Sequence, residues 1–117
     1  GRQAMLKKFH VAEVEVDQAD FEGNAMDAWL RNVHVTAEGT MGVGVFEGRS
    51  GHFVFEYSHD EVAYVISGQY RLEDLSNGQA ILAGPGDLVI IPKGIKLRAT
   101  IVEPLRCLYV TVPAWIG

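Results

Sequence analysis

The chain has 117 residues, of which 48% are hydrophobic, so one domain with its own core is expected and disorder is not. Fifteen acidic against ten basic side chains leave a net charge of −5, which argues against a nucleic-acid partner and against an anionic membrane surface, since both need a basic face. No apolar run approaches the roughly 18 residues of a transmembrane helix, and Gly1-Arg2-Gln3-Ala4-Met5 lacks the apolar centre of a signal peptide. The only cysteine is Cys107, so no internal disulfide can form and the cytoplasm is the expected compartment.

Taken in order, the apolar runs read as strands. Phe9–Val16 comes first, then Ala28–Val35, Thr40–Glu47 and His52–Tyr57. Glu61–Ser67, Gln69–Leu75 and Gln79–Ala83 follow, and Leu88–Ile91, Ile95–Val102 and Leu105–Val112 complete the set. Turn chemistry separates them: Gly48 to Gly51, Ser67-Gly68, Ser76-Asn77-Gly78, Gly84-Pro85-Gly86-Asp87, Pro92-Lys93-Gly94 and Glu103-Pro104. Ala25–Leu30 is the one stretch with room for a helical turn. Many short strands at this spacing imply an all-β sandwich or closed barrel. Residues 1–24 are assigned to an N-terminal strand and loop, and 25–117 to the barrel.

Alternation identifies the buried faces. Ile95, Leu97, Ala99 and Ile101 share one side of their strand, with Lys96, Arg98 and Thr100 on the other. Val62, Tyr64 and Ile66 share one side of the next, opposite Glu61, Ala63, Val65 and Ser67. The second of those faces carries one carboxylate above small residues, which leaves room for a ligand inside a barrel. Gly42 and Gly44 also share a face, so a bulky group should lie over the backbone there.

Two spaced motifs are the most specific features. Gly48, Val54-Phe55-Glu56, Glu61 and Gly68 form the first; Gly86, Pro92-Lys93-Gly94 and Leu97 form the second. Their spacing resembles the two motifs of the cupin superfamily (RmlC-like), which implies a single-domain jelly-roll barrel, the double-stranded β-helix. In that superfamily the first motif reads Gly-x5-His-x-His-x(3–4)-Glu-x6-Gly and the second Gly-x5-Pro-x-Gly-x2-His, and the four ligands hold a divalent metal. Here Val54, Glu56 and Leu97 fall at the histidine positions, and only Glu61 keeps its identity. With the three-residue spacer, Phe55 and Tyr57 replace the histidines instead. Neither set holds zinc or iron as a histidine-rich site does. No cofactor is therefore expected; a divalent metal is what the fold offers, with its usual ligands absent.

A narrower resemblance is to the cupin domain of the ethanolamine-utilisation protein Q group, and more broadly to small cupins related to ureidoglycine aminohydrolase. It is carried by Met41-Gly42-Val43-Gly44-Val45-Phe46, His59-Asp60-Glu61, Val65-Ile66-Ser67-Gly68, Gly86-Asp87, Ile91-Pro92-Lys93-Gly94 and the run from Leu108 to Trp115. That group also lacks the His-x-His pair and usually has tyrosine where this chain has His59. A kinase-like activity on acetate is attributed to it, but this sequence shows no phosphate-cradling Gly-rich loop opening a helix.

Glu61 is the leading candidate for an acid/base, because an inward carboxylate must be paired, protonated or metal-bound. The bland reading sets it at a strand start, accepting loop hydrogen bonds. Glu56 and His59 are candidate helpers. If His59 leans inward, the three make a weak metal site or an acid–base set; the plain alternative is a surface histidine. Val54, Leu97, Tyr57 and Tyr109 are candidate ligand-binding residues, with core packing as the alternative for the tyrosines. Cys107 reads as an inert core thiol, and Trp115 as packing the tail against the barrel. Two functions remain open. One is a hydrolase, isomerase or lyase acting on a small polar metabolite. The other is a non-catalytic cupin that binds a ligand or serves assembly beside metabolic enzymes. A small-molecule ligand and a homodimer are expected, the latter because Val11, Val14 and Val16 need an apolar surface.

Overall fold

The computed structural model of the protein describes residues 4–20 and 25–115. Its strands are β1 (Asp17–Ala19), β2 (Ala25–Val35), β3 (Gly42–Glu56), β4 (Asp60–Asp74), β5 (Ala80–Ala83), β6 (Leu88–Ile91) and β7 (Lys96–Val112). The order in the sheet is β1-β2-β3-β7-β4-β5, β6 also pairs with β4, and every pairing is antiparallel. The all-β jelly roll expected from the sequence is the fold observed.

The sequence divides β3, β4 and β7 into two strands each, whereas the structure runs them continuously. The separators act as bulges. Pairing of β3 with β7 shifts register between Gly48 and His52, and pairing of β4 with β7 shifts between Val65 and Tyr70. Bulges bend a strand without ending it. The three strands turn one corner together here, and the sheet folds over on itself. Gly68 occupies one of the two tightest points, at φ +83, where a Cβ would lie 1.9 Å from the Pro104 carbonyl oxygen.

The core lies between the two halves. Ala63, Val65 and Cys107 from one side of the bend pack in one cluster with Leu72, Leu97 and Ala99 from the other. The alternation read from Ile95 to Ile101 holds, with Leu97 and Ala99 buried and Lys96 and Arg98 exposed. Ser67 departs from its expected face: Ala63 and Val65 are buried, but the register shift after Val65 leaves Ser67 exposed.

Two N-terminal expectations are corrected. Phe9–Val16 is not a strand; its one regular piece is a 3-10 turn at Val11–Glu13. Arg106 explains this, because its Nη2 donates to the carbonyls of Val11 at 2.8 Å and Val14 at 2.6 Å. Val11, Val14 and Val16 are half-buried, so much of the apolar surface they need is supplied by the chain itself. Ala25–Leu30 is not helical either, since Ala25 to Leu30 pair along β3.

Candidate functional site

Strand alternation at the end of β3 builds the first wall of a cavity. Phe53, Phe55 and Tyr57 point inward, while Glu56 between them is exposed. The chain then turns through Ser58 into β4, and His59, Glu61 and Ala63 continue the inward set. The Pro92-Lys93-Gly94 turn fixes this link from both sides. Gly94 N donates to Tyr57 O at 2.8 Å, and Lys93 N donates to Asp60 Oδ1 at 2.9 Å. Cys107 and Tyr109 of β7 close the far wall. The cavity's volume is about 70 Å3, where a single water takes roughly 10–15 Å3 on the same measure.

Trp115 sits at the edge of this cavity, held by two elements. Its backbone N–H donates to Thr111 Oγ1 at 3.0 Å, and its carbonyl accepts from Asn32 Nδ2 at 3.4 Å. The same Asn32 accepts the Tyr109 hydroxyl through Oδ1. Gly44 lies under Tyr109, and Gly42 lies against Thr111 and Ala114, so bulky groups do cover the backbone where the glycines share a face.

His59 is the pivot of the site. It is 3% exposed, and its Nε2 lies 3.5 Å from Glu61 Oε1. Three aromatic rings surround it, with centroids at 5.4 Å for Tyr57, 6.3 Å for Phe55 and 6.4 Å for Trp115. Its Nδ1 is buried and has no hydrogen-bond partner among the described residues.

The carboxylate of Glu61 sets the local field. Burial pushes the Cys107 thiol up to about 12, and the Glu61 charge adds to the shift. Burial and then Glu61 hold the Tyr57 and Tyr109 hydroxyls well above the ordinary phenol range. Tyr70 is raised by burial, then by Cys107 and Glu61. All four therefore stay neutral near neutral pH.

Of the residues proposed from sequence, Glu61, His59, Tyr57 and Tyr109 meet at the cavity. Three are placed elsewhere. Glu56 is exposed, because it alternates with Phe55 and Tyr57 on β3. Val54 is half-buried and lies off the cavity wall for the same reason. Leu97 is buried in the core beside Phe55, its pairing partner, and off the wall. Phe46, Phe53, Tyr70 and Ile91 complete the lining without any motif to announce them.

The motif register is thus the three-residue spacer, with Phe55, Tyr57, Glu61 and Leu97 at the superfamily's ligand positions. An arene, a phenol, a carboxylate and an alkyl group are not a ligand set for zinc or iron. The weak trio of Glu56, His59 and Glu61 does not assemble. Among the described residues no group of three or more His, Cys, Asp or Glu side chains converges to hold a metal ion. The residues present do not fit the metal of the superfamily.

Comparison with known proteins agrees with this architecture. The chain is 33% identical over 102 residues to the protein named acetate kinase EutQ from Clostridioides difficile strain 630, covering 86% of this chain and 63% of that protein's length. The structure of the Clostridium difficile EutQ protein superimposes with a TM-score of 0.81 at 27% identity, covering 92% of this chain and 88% of that one. An RmlC-like cupin from Shewanella frigidimarina NCIMB 400, 16% identical, shares the fold with a TM-score of 0.70 over 96% of this chain and 94% of its own. With residues 4–116 matched by the family model for ethanolamine utilisation protein EutQ, this cupin chain belongs to that family.

Proposed function

We propose that the barrel cavity binds a small polar metabolite and that His59 and Glu61 act on it as an acid–base pair. The observation that carries this reading is an imidazole 3% exposed, with Nε2 3.5 Å from the Glu61 carboxylate, on the wall of one cavity. Withdrawing such polar groups from water costs free energy that core packing alone does not offset. Proton transfer is the chemistry this pair offers. It fits hydrolysis, isomerisation or elimination, with Glu61 as the acid/base and His59 as its partner.

The name of the curated relative raises phosphoryl transfer to acetate. A transferring phosphoryl group needs cationic groups around it. The cavity wall carries a carboxylate and, among the described residues, includes no lysine or arginine. Its chemistry favours proton transfer instead. The test incubates the wild type and Glu61→Gln with a panel of small amines, amides and sugar-like acids, followed by mass spectrometry. Conversion by the wild type that Glu61→Gln loses supports the reading, and undiminished conversion by the variant removes Glu61 from the role.

A second reading, ligand binding or assembly without turnover, has its own observation on the outer face. Ile90, Val62, Val110 and Val43 form one row across four strands, and Leu88, Tyr64 and Leu108 the next; the exposed part lies on β6 and β4, because Val110, Leu108 and Val43 are half-buried and Val45, which ends the second row, is buried. Ile90 is 69% exposed and Leu88 60%. Neither row contains a charged side chain, although the whole chain carries −5. A second copy of this chain, the homodimer expected from sequence, suits such a face, because two net-negative chains meet best where neither is charged. The buried, lone Cys107 suits a reducing cytoplasm, and no helix among the described residues is long and apolar enough to cross a membrane.

A further inference from the structure

The cavity pairs one carboxylate with an unusual density of aromatic surface. Phe55 and Tyr57 meet edge to face at 4.9 Å, Phe55 and Trp115 at 6.2 Å, and Phe46, Phe53 and Tyr109 extend the aromatic wall. Aromatic faces carry negative potential and attract cations, most strongly where water is excluded. Glu61, its side chain 16% exposed, adds a full negative charge to the same wall. The charge of Glu61 is felt at Tyr57, Tyr70, Cys107 and Tyr109, each of which holds its proton more tightly for it. Among the described residues no lysine or arginine on the wall neutralises that charge.

His59 supplies the remaining constraint. When its Nε2–H donates to Glu61, its Nδ1 presents a lone pair, and that atom is buried without a partner among the described residues. A buried acceptor without a donor costs free energy, and a ligand with an N–H group can supply the donor. An anion would face Glu61 at close range, and a neutral alkyl group would leave both polar atoms unanswered.

We propose that the ligand of this cavity is a small protonated amine, with Glu61 as its counter-ion, the aromatic faces of Phe55, Tyr57 and Trp115 around its cationic head, and His59 accepting one of its N–H groups. This deepens the reading of the barrel as a small-molecule site and rests on it. The cavity's about 70 Å3 restricts the ligand to a few heavy atoms. Glu61 then stands both as counter-ion and as the group placed to take a proton from the bound molecule.

Three probes of one shape separate charge from size: propylammonium, propan-1-ol and propionate. Each is titrated into the purified chain by calorimetry and by chemical-shift mapping of the His59 and Trp115 ring signals. Propylammonium is expected to bind in the millimolar range or tighter, as a molecule of this size allows, and at least about tenfold more tightly than either of the others. Glu61→Gln is expected to lose that tenfold preference. If the variant does not fold, the probe series on the wild type decides alone. Equal or tighter binding of propan-1-ol or propionate overturns the amine assignment and leaves the barrel a binding site. Failure of all three to perturb the cavity signals overturns both.

Discussion

Gly44 lies directly beneath the ring of Tyr109: a Cβ on residue 44 would come within 2.2 Å of Tyr109 Cζ and 2.7 Å of the Arg31 carbonyl oxygen. The ring therefore rests on bare backbone, and its hydroxyl reaches Asn32 from that position. Gly44→Ala must displace the ring and break that hydrogen bond. Overpacking of this kind costs roughly 1–3 kcal/mol. Chemical denaturation should show a lower midpoint with an unchanged slope, and an unaltered midpoint would show that the ring does not rest there.

The ligand positions left by the motif register can be refilled. Phe55→His and Tyr57→His together, beside the native His59 and Glu61 on the same wall, should convert the site into one that takes zinc or another divalent ion stoichiometrically. Val54→His combined with Glu56→His should not, because Glu56 is exposed and Val54 lies off the wall. Elemental analysis after dialysis distinguishes the two, and reversal of the pattern would refute the three-residue spacing.

Base should unfold the protein earlier than an average chain. The Cys107 thiol moves from its ordinary 9.0 to about 12 on folding, and Tyr57, Tyr70 and Tyr109 move above their ordinary 10.0. Above about pH 9 the unfolded chain releases protons that the folded chain keeps, so stability falls as pH rises through this window. Below it these groups contribute no slope. Denaturation midpoints across the range test this, and Cys107→Ala should flatten the thiol's share. The native thiol should also resist alkylation at pH 8 until denaturant is added.

Arg106 ties the N-terminal segment to the barrel. Its Nη1 meets Glu47 Oε1 at 2.6 Å, while Nη2 serves the carbonyls of Val11 and Val14. Hydrogen bonds to a charged, partly buried group contribute about 1.5–3 kcal/mol. Arg106→Ala should release residues 4–16, seen as faster amide exchange and early proteolysis there, with barrel amides still protected. Uniform protection in both proteins would count against the tie.

The outer face offers a test of association. If two copies meet across the rows containing Val62, Tyr64, Leu88 and Ile90, then Ile90→Glu should turn a dimer into a monomer in sedimentation. The fold should be unaffected, because Ile90 is 69% exposed. A wild-type chain that sediments as a monomer at high concentration removes the dimer.

The strands and their faces were legible because period-two alternation is a local property: Leu97 and Ala99 inside, Lys96 and Arg98 outside. Turn chemistry was less so. Gly68 and Pro104 read as chain reversals, but their partners across the sheet convert them into a bend, and no local signal distinguishes the two outcomes. Glu61 was found by its spacing to Gly68. His59 could not be oriented, since its direction depends on the Pro92-Lys93-Gly94 turn packed against the link before it. Phe55 against Val54 was a question of one residue in a variable spacer, and that residue decides which side of β3 faces the cavity. Asn32 carried no sequence signal, because its role exists only through Tyr109 and Trp115, 77 and 83 residues away.

The corner that β3, β4 and β7 share lies apart from His59 and Glu61, yet it governs how far apart the barrel's walls stand. Contact between Gly68 and Pro104 joins two of those strands at the fold line. Phe46, Phe53 and Tyr70 stand within two residues of that corner, so a small change of angle there is passed straight to the aromatic wall. The capacity of the pocket can therefore drift, or be engineered, through positions that no bound molecule ever meets.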